Sequence, residues 1–200
     1  LGIPAEQRVY VLDTVTSADT DTFLTRESIA EVPGLLAAVE AMRERWGDLA
    51  AFDHVDLYGC FPSMVSYTAS AMGLGTDRQL TMTGGLGFMG APLNFAAGQA
   101  LIGMVRRLRE HPGSVGLVQG NGGHATKHAF GVFSTTPPEE LVLTRALAPE
   151  ADRVPRAADD AAGPAVIDGI TVEYDRDGAT RAVAICRMDD GSGRLWATST

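Results

Sequence analysis

The strongest constraint on the fold is an alternation of strand-like and helix-like segments between residues 8 and 134. "RVYVLDTV" is apolar and β-branched, which predicts a buried strand. "IAEVPGLLAAVEAMRERWG" then repeats apolar residues at helical spacing, and "HVDLYGC" predicts a second strand. "FPSMVSYTASAMGLG" and residues 95–110 predict two more helices, with a strand at "RQLTMTGG" between them. Strands that alternate with helices in this way predict an α/β core.

The rest of the chain predicts an antiparallel pair, a connection and a small β-unit. "GSVGLVQGNGG" and "HAFGVFSTTPP" predict two strands joined by the loop "GNGGHATK". Residues 139–164 are rich in Ala, Pro and charge, which predicts a linker, with one short helix near 138–148. "GITVEYD", "AVAICRM" and "RLWATST" predict a β-meander and, from it, a small all-β barrel-like domain at 165–200. The remaining span, 1–138, is then the α/β domain.

Composition narrows the classes of partner and the compartment. A net charge of −9 and a pI near 4.8 argue against nucleic acid, which needs a clustered basic surface. No apolar run is long enough to span a membrane, and no secretion signal opens the sequence. Cys60 and Cys186 lie in dissimilar segments, so two free thiols in the cytoplasm are expected. The initial Leu1 and the unclosed final strand suggest a piece of a longer protein.

The glycine-rich stretch "TMTGGLGFMGAPLNFAAG" feeds directly into a predicted helix without carrying an acid, base or nucleophile. It lacks the G-x-x-x-x-G-K-[ST] spacing and the downstream acid of a dinucleotide site, which disfavours nucleotide binding. A role for its backbone alone is the expectation that remains.

Three segments in fixed order resemble the C-terminal half of a thiolase. They are "HVDLYGCFPSMV", "QLTMTGGLGFMGAPLNFAAGQALIGMVRRLRE" and "GLVQGNGGHATKHAFGVFSTTPP". Within the thiolase superfamily they are similar to the acetyl-CoA acetyltransferases described as thiolase-like protein type 1, which resemble the sterol-carrier-protein-2 thiolases. That group carries an extra C-terminal β-rich domain, so residues 1–138 correspond to the thiolase half and 165–200 to the start of that domain.

The resemblance implies a layered α/β fold with a mixed five-stranded sheet. It also implies acyl-CoA as substrate, with no cofactor other than that coenzyme A thioester. The N-terminal thiolase half, which lies outside this sequence, is the implied partner, and a homo-oligomer stays open. Neither nucleic acid nor a membrane is implied.

The sequence departs from the thiolase motifs at the positions that carry chemistry. Thiolases place an activating histidine in a G-H-P turn, and this frame has Ala91 at the histidine position. The N-E-A-F or H-D-C-F frame has Tyr58 at its first position and Cys60 at its third. The C-x-G-G-G frame begins at Val118, so its cysteine is absent. The primary nucleophile of a thiolase belongs to the N-terminal half.

Claisen-type exchange needs a thiolate, a base and an oxyanion hole. The candidate catalytic residues that remain are Cys60, Tyr58, His128 and His124. The candidate substrate-binding residues are Gly84, Gly85, Asn94, Gly122 and Gly123. The two histidines have a metal-like spacing, but the flanking glycines indicate a loop and no third ligand is near, so no metal site is predicted. Structural roles are equally open: a buried thiol, histidines bonded to backbone, and Asn94 and Asn121 as turn residues.

Three functions are consistent with these residues. The first is an atypical acyltransferase of the acetyl-CoA acetyltransferase type. The second is a lyase on a β-hydroxyacyl-CoA, since thiolase-fold steroid-side-chain aldolases are similar in relying on tyrosines and pair with a small β-domain protein. The third is a non-catalytic protein that binds acyl-CoA or a partner.

Overall fold

The computed structural model describes residues 2–19, 22–148 and 153–199, which cluster into two compact units. The first unit comprises Leu1–Asp19 and Pro33–Pro149, and the second comprises Thr20–Val32 and Glu150–Thr200. Residues 149–152 of the predicted linker, as well as Leu1 and Thr200, lie outside the described residues.

A mixed five-stranded sheet forms the centre of the first unit, as the resemblance implies. Its strands are β1 (Tyr10–Ala18), β2 (His54–Asp56), β3 (Val115–Gly122), β4 (Lys127–Ser134) and β5 (Val142–Leu147). Their order is β2-β3-β4-β1-β5. The β2–β3 and β1–β5 pairs are parallel, while β4 is antiparallel to both of its neighbours. The carboxyl ends of β1, β2 and β3 therefore lie at one edge of the sheet.

Helices cover both faces of this sheet. They are α1 (Pro33–Trp46), α2 (Pro62–Met72), α3 (Leu86–Met89) and α4 (Ala96–Glu110). Single 3-10 turns occur at Ala5–Gln7, Leu49–Ala51 and Leu93–Phe95. The face of the sheet that carries Val15 and Gln119 packs on α1 and α2. The opposite face packs on α4. There β3 approaches α4 so closely that a Cβ on Gly116 would clash with Met104. None of the helices among the described residues is long and apolar enough to cross a bilayer.

Two predicted elements of the first unit are wrong. The short helix predicted near 138–148 is instead strand β5, which pairs with β1 from Asp13↔Val142 to Ala18↔Leu147. Its residues alternate between half-buried and exposed, the period of two that a strand requires. The strand predicted at "RQLTMTGG" is a loop, with one backbone hydrogen bond of 2.8 Å from Leu57 to Leu80. Side-chain contacts to the end of β2 replace a strand ladder there.

The second unit is built on a three-stranded antiparallel sheet. Its strands are β6 (Ala165–Tyr174), β7 (Ala179–Met188) and β8 (Arg194–Ser199), in the order β6-β7-β8. The predicted meander is confirmed, but the described strands form an open sheet rather than a closed barrel. A stretch from far earlier in the sequence, with a 3-10 turn at Phe23–Thr25, belongs to the same unit.

A buried arginine joins the two stretches of the second unit. Arg194 is 4% exposed, and its Nε donates to Asp168 Oδ2 at 2.6 Å. Its Nη2 donates to the carbonyl oxygen of Glu27 at 2.9 Å, and its Nη1 donates to that of Arg26. The guanidinium thus donates hydrogen bonds to one carboxylate and to backbone carbonyls of the early stretch at the same time. A lysine ammonium has fewer donors and lacks the planar fork that this arrangement needs.

We predict that Arg194→Met strongly destabilises the second unit, because it removes the buried guanidinium that donates to Asp168 and to the carbonyl oxygens of the early stretch. Asp168 then keeps only the donors of the more exposed Arg187. Removing one partner of a buried ion pair typically costs about 3–5 kcal/mol. Urea unfolding of the variant checks this value. The control is Arg181→Met, which removes a surface pair with Glu173 and should leave the unfolding midpoint almost unchanged. Equal effects of the two substitutions would contradict the structural role of Arg194.

Candidate functional site

A buried carboxylate at the end of β2 holds the glycine-rich loop. Asp56 is 3% exposed, and its Oδ2 accepts hydrogen bonds from the Met82 N–H at 2.6 Å and the Thr81 hydroxyl at 3.0 Å. Burial raises the pKa of this carboxyl, and the hydrogen bonds from the loop only partly oppose that shift. A raised pKa at the edge of an α/β sheet is a feature of functional sites.

The two loop glycines predicted to bind substrate donate their N–H groups within the loop. The N–H of Gly84 donates to Thr81 Oγ1 at 3.2 Å, and that of Gly85 donates to Thr83 Oγ1 at 3.3 Å. Both glycines have left-handed φ values, +80° and +76°, which favour glycine. The loop therefore has a defined shape without a ligand, and a substrate carbonyl would have to share these donors with the threonines. Their binding role stays a prediction.

The turn that follows β2 contacts both the glycine loop and β3. A Cβ on Gly59 would lie 3.5 Å from the Cα of Gly85, so these two backbones approach closely. The N–H of Tyr58 donates to Gln119 Oε1 at 3.1 Å, and Gln119 Nε2 donates to Thr68 Oγ1 at 3.1 Å. Sequence reasoning missed Gln119 and Thr68. The available signal was a glutamine inside the apolar run of "GLVQG".

Cys60 lies against the end of β3. Its Sγ is 3.8 Å from Asn121 Nδ2, and its thiol is free and half-buried. Asn121 was expected in a turn, but it is the penultimate residue of β3 and directs its side chain at the thiol. Its Oδ1 is buried and has no hydrogen-bond partner within the described part of the chain. An amide N–H can stabilise a thiolate, but it cannot remove the proton from a thiol.

Tyr58 has a raised pKa. Partial burial raises the pKa of Tyr58, and the neighbouring charge of a Cys60 thiolate raises it further. A neutral phenol has one O–H group that it can donate.

His128 is the histidine that lies beside this cluster. It pairs in register with Asn121 across β3 and β4, and directly opposed residues place their side chains on one face about 4.5–5.5 Å apart at Cβ. It is 3% exposed, and its Nε2 lies 3.3 Å from the carbonyl oxygen of Ala125. That face is covered by α1 and α2, whereas α4, which follows Ala91, covers the other. Its catalytic role stays a prediction.

The remaining predicted residues lie in turns or at the end of β3. His124 is exposed in the four-residue turn between β3 and β4. Gly123 in that turn has φ +60° and its Cβ position is occupied by Thr126 Oγ1, so this glycine is required by the turn itself. Gly122 ends β3 opposite Lys127, and Asn94 is exposed in a 3-10 turn before α4. The binding roles of Asn94, Gly122 and Gly123 stay predictions.

Metal-ligating side chains do not gather at this edge. Across residues 2–19, 22–148 and 153–199, no group of three or more His, Cys, Asp and Glu side chains is arranged to hold a metal ion. The polar groups that define the candidate site are the thiol of Cys60, the phenol of Tyr58 and the side-chain amides of Gln119 and Asn121.

Comparisons with solved structures identify the fold. A monomeric SCP2-thiolase-like protein type 1 from Mycobacterium smegmatis is similar over 99% of this chain, with a TM-score of 0.81 and 30% sequence identity. The chain spans 44% of the length of that protein chain. No protein-family model matches the sequence. No curated protein matches it either. The chain therefore has an SCP2-thiolase-like fold, which confirms the predicted resemblance.

We predict that the charge of Asp56 makes stability fall as the pH rises. The folded state raises the pKa above the ordinary value of 3.8, so the stabilisation is present below that pH and is lost as the pH rises through the folded pKa. Asp56→Asn should keep both loop hydrogen bonds, because one carbonyl oxygen can replace Oδ2. The variant should therefore become more stable relative to the parent between pH 4 and pH 7. Urea unfolding at several pH values measures this difference.

The matched control is Asp77→Asn, at an exposed carboxylate of the same unit. If the free energies of unfolding of Asp56→Asn and the parent differed by the same amount at every pH in this range, the folded environment would not raise the pKa of Asp56.

Proposed function

We propose that this chain forms part of an acyl-CoA-handling protein of the thiolase type, with an atypical acyltransferase activity centred on Cys60. The observation that supports the proposal is the meeting of three distant segments at one sheet edge. The turn at Tyr58–Cys60 contacts the glycine loop through Gly59 and Gly85, and contacts β3 through Gln119 and Asn121. These are the same three segments that carry the resemblance to thiolases.

The polar groups at this edge favour acyl transfer without classical thiolysis. Cys60 is half-buried, and Asn121 donates towards its sulfur, so a thiolate attacking a thioester carbon would keep one hydrogen bond. The attack forms a thioester on Sγ and releases coenzyme A as its thiolate. The base that speeds this step in thiolases is missing, because Ala91 stands at the histidine position and Val118 at that of the second cysteine.

We predict that the full-length protein carrying this sequence cleaves acetoacetyl-CoA slowly. A general base is worth about 10²–10⁴-fold in rate, so the deficit against a histidine-bearing thiolase should fall in that range. Spectrophotometric thiolysis measures it. Turnover within ten-fold of a histidine-bearing thiolase would contradict the proposal.

The two cysteines supply an internal control for the nucleophile. Incubation of the full-length protein with acetyl-CoA, followed by peptide mapping, should find an acetyl group on Cys60 in the parent and in Cys186→Ser, and no acetylated peptide in Cys60→Ser. Acetylation that survives in Cys60→Ser would place the acyl acceptor elsewhere.

A lyase acting on a β-hydroxyacyl-CoA is the second candidate, and the position of Tyr58 favours it, because Tyr58 belongs to the turn that contacts both β3 and the glycine loop. Its phenol is a neutral hydrogen-bond donor that could stabilise an enolate or thioester oxygen. A base removes the β-hydroxyl proton, and cleavage of the Cα–Cβ bond then gives an aldehyde or ketone and an enolate. The enolate takes up one proton at Cα to become the shorter acyl-CoA, so no acyl-enzyme is needed.

If the lyase is correct, Tyr58→Phe should lower cleavage of a β-hydroxyacyl-CoA by about 10²–10³-fold, the usual effect of losing one oxyanion donor. Affinity for the substrate, measured by calorimetry, should change little. The control is Tyr67→Phe on α2. Absence of cleavage by the parent protein, together with acetylation of Cys60, would decide for the acyltransferase.

A further inference from the structure

A second concave site lies at the opposite end of the first-unit sheet from the candidate site. It is a cleft of about 450 Å³ at the start of β1, β3 and β5 and the end of β4. Arg45 and Trp46, at the end of α1, form one wall. Pro137, Pro138 and Glu140 belong to another. Pro137 and Pro138 end the third segment that resembles thiolases. None of the residues named here stands at a predicted catalytic or substrate-binding position, and the proposed acyl-CoA chemistry uses none of them.

A buried carboxylate fixes the two side chains of the first wall. Asp13 is 0% exposed at the start of the β1–β5 pairing, and its Oδ2 accepts from Arg45 Nε at 2.7 Å and from Trp46 Nε1 at 2.8 Å. Trp46 also packs on Phe52, with the ring centroids 5.4 Å apart. Burying a carboxylate is unfavourable unless it is paired. Here the pairing orders a guanidinium and an indole at the surface of a cleft, before any ligand binds.

The cleft presents one positively and one negatively charged side chain, Arg45 and Glu140. Arg45 uses only Nε towards Asp13, and its two Nη groups make no hydrogen bond within the described residues. Glu140 is exposed on the same cleft, and no ion pair joins it to Arg45 in the described chain. Apolar groups that line the same cleft are the indole of Trp46, the two prolines and Leu12.

We propose that this cleft binds a zwitterionic small molecule with an aromatic or branched aliphatic group, which is the chemistry of a free α-amino acid. Its carboxylate accepts from the Nη groups of Arg45, as guanidinium donors suit a planar carboxylate. Its ammonium pairs with Glu140, and its apolar group lies on Trp46 and the prolines. The volume lies at the lower end of the ~300–1,000 Å³ typical of small-molecule sites, which fits a ligand of this size.

The test uses the full chain with Trp196→Phe, so that Trp46 is its single tryptophan. Titration with L-phenylalanine should give a saturable change in Trp46 fluorescence. 3-Phenylpropionate lacks the ammonium and phenethylamine lacks the carboxylate, so each should bind roughly five-fold more weakly, the effect of one partly exposed ion pair. Absence of saturation with L-phenylalanine, or equal affinities for the three ligands, overturns the proposal.

Adjacent glutamates provide matched variants. Glu140 lines the cleft, whereas Glu139 is equally exposed and does not. Glu140→Gln should weaken the binding of L-phenylalanine roughly five-fold and leave the binding of 3-phenylpropionate unchanged. Glu139→Gln should change the affinity for neither ligand. Because both positions are on the surface, both variants should fold, which equal thermal midpoints would verify. The same loss of affinity in both variants would reduce the effect to general surface charge and overturn the assignment.

Discussion

The candidate site depends on a single buried carboxylate. Asp56 ends β2, and through the Thr81 hydroxyl and the Met82 N–H it holds the loop that brings Gly84 and Gly85 to the sheet edge. The loop has no strand ladder of its own, so these bonds set where its glycines lie. Because Gly59 approaches Gly85 so closely, the position of the Cys60 turn is coupled to the same carboxylate. A substitution that removes the acceptor would displace three segments together.

Local pattern was sufficient to predict most of the first unit. The helix at 96–110 and the hairpin of β3 and β4 follow from residues that are close in sequence, and each has a clear period. Strand β5 could not be predicted in the same way. "LVLTRAL" has the composition of either a helix or a strand, and the decision was made by the unpaired edge of β1, which lies more than a hundred residues earlier. Residues 78–85 were predicted as a strand but form a loop, because their hydrogen bonds go to side-chain acceptors such as Asp56 rather than to a neighbouring strand.

The site was predictable in its segments but not in its contacts. The sequence indicates which turns correspond to the thiolase motifs, and it shows that Ala91 and Val118 lack the expected groups. The bonds that organise the edge join Tyr58 to Gln119 and Cys60 to Asn121, each pair separated by 61 residues in the sequence. Such pairs depend on strand register, which sets the face of every side chain and which no local pattern specifies for β3. Asn121 looked like a turn residue because glycines surround it, yet it is paired with His128 in the sheet.

The second unit has an unusual consequence for how the chain acquires its structure during synthesis. Arg194 bonds to the carbonyl of Leu24 across 170 residues of sequence, so the early stretch of this unit leaves the ribosome long before the strand that completes it. Contacts of such long sequence separation form late, because closing the intervening chain has an entropic cost. Residues 22–32 are therefore synthesised before most of the five-stranded sheet, but they make their contacts with Arg194 only after that sheet has been synthesised. The second unit is thus completed last, although one of its two stretches is synthesised early. A truncation that stops before β8 leaves that early stretch without its principal donor, although the deleted residues lie at the other end of the sequence.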